Sequence, residues 1–125
     1  MRRASIFLGT RFGDNALNIG TGIAVDTTGN IAVSGTYLGS FNFGCGALPN
    51  AMNNSLLGFV TLFDTNGACV HQTPIGGGNI FPFSLKFLTE PDFVVVGSFG
   101  GSVNFPKAML TENNNGDGFV ARLEP

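Results

Sequence analysis

The chain contains one sequence unit twice, and this internal repeat limits the possible folds more than any other feature. Residues 34–43 align with residues 96–105 at an offset of 62 positions, and five of the ten aligned residues are identical. Residues 58–64 align with residues 118–124 at an offset of 60, so a loop in the second copy is two residues shorter. We therefore predict a single β module over residues 1–125, with a first repeat at about 14–76 and a second at about 77–125.

Each copy consists of short strand-forming segments that are separated by turn residues. Residues 22–26 and 30–37 flank a turn in which Asp and Asn can bond their own backbone and Gly supplies a positive φ, so they predict a hairpin. A third strand is predicted at 58–64 and a fourth at about 68–75, joined by a second tight turn at residues 64–67 that makes a further hairpin. A link between the repeats follows at Gly76–Gly78. No segment keeps a helical period, and the chain has 19 glycines, so we predict an all-β fold with almost no helix.

Four antiparallel strands in a unit of this length are typical of a β-propeller blade. The segment at about 5–13 aligns with the fourth strand of the first repeat, whereas the chain stops after the third strand of the second repeat. We therefore predict two four-stranded antiparallel blades, the second of which is completed by the strand at about 5–13.

Two blades cannot close a ring, because propellers typically contain four to eight. Unpartnered blades would also leave sheet faces and sheet edges in water. We therefore expect head-to-tail self-association, with three copies making six blades or four copies making eight. Two alternatives stay open: the chain is part of a longer propeller, or it folds alone as an eight-stranded sandwich or barrel.

Several motifs resemble the bacterial SBBP-type β-propeller repeat. They are G-I-A-V-D-T-T-G-N-I-A-V-S-G at residues 22–35 and G-F-V-T-L-F-D-T-N-G at residues 58–67, with weaker counterparts in the second copy. The resemblance covers about 100 of the 125 residues, although Gly58 and Gly118 replace the usual Asp and no Trp is present. It implies a blade fold and an extracellular or cell-surface location in bacteria, and it brings no catalytic residues. The chain itself shows no signal-peptide pattern.

Charge and composition argue against several classes of partner. Only 11% of the residues are charged and the net charge is −2, so no basic surface is expected for nucleic acid. No apolar run is long enough to predict a membrane-spanning helix.

The chain offers few groups for chemistry. Cys45 and Cys69 could form at most one disulfide, and the sequence leaves open whether they do. A nucleophilic pair of Cys69 with His71 lacks a third group to orient the base, so a packed thiol is the simpler interpretation. No paired carboxylates or metal-type clusters occur, and the loop 112–118 has too few carboxylates for a calcium site. We predict no enzyme activity, no cofactor and no bound metal.

The remaining candidates are ligand-binding residues near one rim of the blades. Tyr37 and its counterpart Phe99 end equivalent strands, and Asn113, Asn115 and Asp117 lie in a polar loop. We therefore predict a non-enzymatic structural or interaction module, with protein or glycan as a possible ligand. The alternative is a lectin-like propeller that binds carbohydrate through repeated weak sites.

Overall fold

The computed structural model describes residues 11–13, 16–40, 42–50, 55–88, 92–105, 107–111 and 116–124, and of residue 83 only the backbone. This part of the chain contains seven strands and no helix, which confirms the predicted all-β fold. The strands are β1 (Asn18–Val25), β2 (Ile31–Tyr37), β3 (Leu57–Phe63), β4 (Cys69–Phe87), β5 (Phe93–Phe105), β6 (Ala108–Thr111) and β7 (Asp117–Leu123). The described residues accordingly contain no helix that is long and apolar enough to span a membrane.

All pairings are antiparallel, and they join the seven strands into one nearly closed sheet. The strand order is β1-β2-β3-β4-β5, with β6 and β7 both pairing with β5. The 19-residue strand β4 changes partner along its length: it pairs with β3 up to Ile75 and with β5 from Gly76 onward. We call β1, β2, β3 and residues 69–75 sheet 1, and residues 76–87 with β5, β6 and β7 sheet 2. The glycines of the expected link, Gly76–Gly78, therefore lie inside a continuous strand, because β5 supplies them with a pairing partner.

The two sheets have the same register. The seven pairs between β2 and β3 recur between β5 and β7 at the sequence offsets of 62 and 60. The equivalent pairs at the ends of these two ladders are Ile31–Phe63 with Phe93–Leu123, and Tyr37–Leu57 with Phe99–Asp117. The bulge at residue 21 of β1 likewise recurs at residue 83 of β4. The sequence repeat is therefore a repeat of backbone pairing.

Two aspartates build the tight turns of sheet 1. The Asp26 carboxylate accepts hydrogen bonds from the backbone N–H groups of Thr28 and Asn30, at 2.9 and 2.8 Å. Asp64 accepts from Asn66 and Ala68 in the same way after β3. These turns confirm the predicted hairpins. In each turn the Asp carboxylate accepts backbone N–H groups that have no backbone carbonyl partner there.

The main core lies between the two sheets. Sheet 1 contributes small and aliphatic side chains such as Ala32 and Val60, and sheet 2 contributes larger ones such as Phe93 and Phe119. A second cluster, formed by Tyr37, Phe43, Leu48, Phe59 and Phe63, lies on the opposite face of sheet 1. A core enclosed in this way is common to stacked blades, sandwiches and small barrels, so the division into two blades stays a prediction.

Of the strand expected at 5–13, residues 5–10 lie outside the described residues, and residues 11–13 are not in a strand. The Phe12 ring packs on the second cluster, with its centroid 4.7 Å from that of Phe43 and 5.3 Å from that of Phe63.

Cys45 and Cys69 form a disulfide, with their Cα atoms 5.6 Å apart. The bridge joins the loop after β2 to the first residue of β4, so the expectation of a packed free thiol at Cys69 was wrong. Because that sulfur is bonded to Cys45, a nucleophilic pair of Cys69 with His71 is excluded. The sequence left the bridge open because only the course of the intervening loop brings the two Cβ atoms together.

Equivalent glycines stand at the crowded centre of each sheet. A Cβ on Gly97 would collide with the Phe81 carbonyl, would lie 2.7 Å from Pro82 Cα and 2.9 Å from the Phe119 ring. Gly35 is crowded in the same way by the Ile19 carbonyl and the Phe59 ring. Each aromatic ring therefore occupies the space that a side chain at the glycine would need.

We expect Gly97→Ala to lower the free energy of unfolding by about 1–3 kcal/mol, the usual cost of an extra carbon in a packed interior. Urea denaturation of the purified protein measures this loss. Gly20→Ala is the matched control, because a Cβ there meets nothing within 4 Å, and its loss should stay below about 0.5 kcal/mol. Equal losses in the two variants would contradict this packing.

Candidate functional site

The first candidate site is a groove beside β7, which we call the edge groove. It has a volume of about 500 Å³ and its apolar lining includes Phe105, Leu110 and Val120. Lys107 and Arg122 add positive charge to the lining, and Glu124 adds a negative charge. Among the described residues, no strand pairs with the edge of β7 that faces away from β5.

Sheet 1 shows what occupies the equivalent position there. The outer edge of β3, the counterpart of β7, pairs with residues 69–75 of β4. The same segment is bonded to the loop after β2, through the Cys45–Cys69 disulfide and through Gln72 Nε2, which donates to the Gly46 carbonyl at 3.0 Å. Lys107 is the counterpart of Cys45, and it lines the edge groove. The edge groove thus lies where sheet 1 holds its fourth strand.

One ion pair borders the edge groove. Arg122 Nη2 lies 2.6 Å from Asp92 Oδ2, so the end of β7 is tied to the start of β5. The hydrogen bond and the negative charge of Asp92 raise the pKa of the Arg122 guanidinium. The arginine side chain is 58% exposed, and an ion pair so accessible to water contributes little to stability.

The second candidate site is a cleft of about 610 Å³ at one rim of sheet 2, which we call the rim cleft. It is lined by Asn79, Phe81, Ser98, Phe99 and Asp117, together with glycines at 100, 116 and 118. Phe99 and Asp117 face each other across the β5–β7 ladder. The Asn79 side chain is already engaged, because its Oδ1 accepts the backbone N–H of Leu56 at 2.9 Å. A few polar groups in a cleft with apolar neighbours are typical of a small-ligand site.

The structure brings together two of the five predicted ligand-binding residues, Phe99 and Asp117, at the rim cleft. Tyr37 occupies the position equivalent to Phe99 in the other sheet. Asn113 and Asn115 lie outside the described residues. A ligand-binding role for these residues stays a prediction.

Both aromatic side chains of the predicted pair are buried. Tyr37 is fully buried in the second cluster, and its hydroxyl donates to the Pro49 carbonyl at 2.8 Å. Phe99 packs in the main core, with its ring centroid 6.2 Å from that of Phe119. The Tyr37 and Phe59 rings make the equivalent contact at 6.3 Å. Both aromatic side chains therefore stabilise the packed clusters, because each lies on the covered face of its strand.

Sequence reasoning missed Asn79 and Ser98 of the rim cleft. Asn79 directly follows the glycine run that was interpreted as a link, and the register of β4 against β5 shifts between Gly77 and Asn79. Bulges of this kind redirect side chains at functional sites. The run of glycines followed by a polar residue is the one signal in the sequence that could have indicated the role of Asn79 in the rim cleft.

Metal-binding side chains are not clustered in the described part of the chain. There, no group of three or more His, Cys, Asp or Glu residues could hold a metal ion. Comparison of the sequence with family models, and of the chain with curated proteins and with solved structures, finds no match. The resemblance to the SBBP-type repeat therefore rests on the motifs alone.

Tyr37 is the only tyrosine, so its ionisation can be followed by itself. Burial raises the pKa of its phenol from 10.0 to about 12, because the phenolate would lose its hydration. Because the folded state holds the phenol proton more tightly than the unfolded state does, buried neutral Tyr37 contributes fully to the free energy of unfolding below pH 10.0. This contribution is lost as the pH rises toward 12. We expect tyrosinate absorbance to reach half its final value near pH 12 in the native protein and near 10.0 in urea. A native midpoint near 10.0 would show that the ring is exposed.

Proposed function

We propose that this chain is a non-enzymatic structural and interaction module of the β-propeller type. In this proposal sheet 1 and sheet 2 are two blades, and the module becomes complete by head-to-tail association with further copies. The observation that carries it is the outer edge of β7, which pairs with no described strand and lies beside the edge groove, at the position where sheet 1 holds its fourth strand.

An extended segment fits this edge by chemistry and by shape. The backbone groups along an open sheet edge bind a further strand, and an adjacent apolar groove accepts alternate side chains of that strand. Residues 5–13 align in sequence with the fourth strand of the first repeat. The segment from a neighbouring copy is therefore the proposed occupant, so that each chain completes the second blade of the next.

The location that we propose is extracellular or at the cell surface. The resemblance to a family of secreted and surface-attached bacterial proteins suggests it, and the Cys45–Cys69 disulfide supports it. Disulfides persist in oxidising compartments and are rare in the cytosol.

Native mass measurement tests the association. We expect a discrete trimer or tetramer, because three or four two-bladed chains give a ring size within the range that propellers adopt. Excess synthetic peptide with the sequence of residues 5–13 should shift the population toward smaller species, because it competes for the β7 edge, whereas a scrambled peptide should not. A monomer that unfolds cooperatively would contradict the proposed self-association.

A second candidate function is carbohydrate binding at the rim cleft. The observation that favours it is that the polar side chains of Asn79, Ser98 and Asp117 line this cleft together with two phenylalanines. Repetition of the cleft around a ring would give avidity without a strong single site. Glycan-array binding tests this candidate. Asp117→Ala should weaken binding about tenfold or more, whereas Asn66→Ala, in the turn after β3, should leave it unchanged. An array without signal would contradict carbohydrate binding and leave the structural role in place.

A further inference from the structure

The outward side of sheet 2, which we call the forward face, carries unusually exposed aliphatic side chains. Val120 is 66% exposed and Val96 is 41% exposed, and Val94 lies beside them on the same side of the ladder. Lys86 and Arg122 belong to the same face. A contiguous apolar area of this kind on a sheet usually marks a contact surface.

The counterparts of the forward face in sheet 1 are buried by sheet 2. Val60, the counterpart of Val120, is 1% exposed, and Ser34, the counterpart of Val96, is fully buried. Ala32, the counterpart of Val94, is likewise fully buried in the main core. The same position in the repeat is thus an interface in one sheet and a free surface in the other.

The outward side of β1 shows the complementary pattern, and we call it the rear face. Ile23 is 66% exposed and Val25 is 60% exposed. Their counterparts in sheet 2 face sheet 1: Leu85 is 5% exposed in the main core, and Phe87 packs against that core. The rear face therefore repeats, along β1, the part of sheet 2 that contacts sheet 1. Across β2 and β3 the same side of sheet 1 is already covered, because the second cluster there buries Tyr37, Phe59 and Phe63.

We infer that the forward face of one copy packs on the rear face of a second copy and so repeats the interface between sheet 1 and sheet 2. This inference rests on the proposed head-to-tail association and specifies its surfaces. The interface inside the chain joins two unlike faces, and an interface of that type leaves one face of each kind at the two ends of the module. Among the described residues, the forward face is exposed at Val96 and Val120, and the rear face is exposed along β1. The occupant of each open face is then the other face, supplied by a second copy of this chain.

Two cations distinguish the forward face from its buried counterpart. Lys86 and Arg122 stand where Ala24 and Leu62 stand in sheet 1. The apolar stems of such side chains can lie along a packed surface while their charged ends reach the rim. Arg122 already forms an ion pair with Asp92 of the same chain, so its charge would remain paired when a second copy packs on the forward face.

One contact inside the chain gives a position for a cross-link between copies. A Cβ built on Gly58 would lie 3.4 Å from the Ile80 Cβ, across the interface between the sheets. The counterparts of these two residues are Gly118 in β7 and Asn18 in β1. If the interface repeats, Gly118 of one copy lies against Asn18 of the next at a Cβ separation close to the ~3.5–4.5 Å of disulfides.

Mixing Gly118→Cys protein with Asn18→Cys protein under mild oxidation tests this contact. We expect a disulfide-linked pair of chains in the mixture, seen by intact mass without reductant and mapped by peptide mass to positions 118 and 18. Each variant alone is the matched control and should give no such species, because the unlike faces never bring a residue against its own copy. Absence of the mixed pair, or linkage of equal extent in either variant alone, would overturn the inference.

Val96→Asp provides a second measurement that does not depend on cross-linking, at a forward-face residue that does not line the edge groove. Because Val96 is 41% exposed within the chain, the variant should fold, and its assembly constant should fall at least about tenfold as an unpaired carboxylate enters the interface. Leu88→Asp is the matched control: it places the same carboxylate at an exposed position after β4, where the first repeat already has Asp26.

The outcomes separate this inference from the proposed function. A wild-type oligomer whose assembly is unchanged by Val96→Asp and that yields no mixed disulfide would overturn the assignment of the faces and leave the association itself standing. A wild-type monomer would overturn both.

Discussion

The packing of sheet 2 on sheet 1 is the interaction on which the rest of this structure depends. It places the large side chains of one sheet, such as Phe93 and Phe119, against the small ones of the other, such as Ala32. The strand β4 makes this possible because it pairs with β3 over its first part and with β5 over the remainder, so that one continuous backbone belongs to both sheets. Glycines at its midpoint allow the strand to pass from one sheet to the next without side chains that would keep the backbones apart.

The association that we propose depends on this interface. Because the sheets share one register, the contact between them joins a face of one kind to a face of the other. Among the described residues, each kind recurs at an exposed surface, on the forward face of sheet 2 and along β1 of sheet 1. The edge of β7 adds a backbone surface at the position where β3 is already paired. The edge offers main-chain hydrogen bonds and the faces offer apolar side chains, and the two surfaces meet at Val120. Both suit the partner that we propose, a further copy of the repeat.

Sequence patterns predicted the local elements well and the packing of individual side chains poorly. The turns at Asp26 and Asp64 form as predicted, because their hydrogen bonds join residues four or fewer positions apart. Tyr37 and Phe99 were expected near a rim with access to ligand, yet both lie in packed clusters. Alternation along a strand shows that two residues share a face, but not which face is covered. The rim cleft was missed for the same reason, since Asn79 and Asp117 meet only after β4 and β7 have each paired with β5.

The sequence by itself determined the repeat, its all-β character and its hairpins, because these depend on strand-forming segments, turn residues and offsets that are local along the chain. Only the tertiary structure decided that Cys45 meets Cys69, that Gly76–Gly78 continues a strand, and that Val60 is buried while Val120 is exposed. The physical reason is that equivalent residues have equivalent local preferences, whereas burial depends on what lies across the interface. Sheet 1 has sheet 2 as a neighbour on that side, and within the described chain sheet 2 has none.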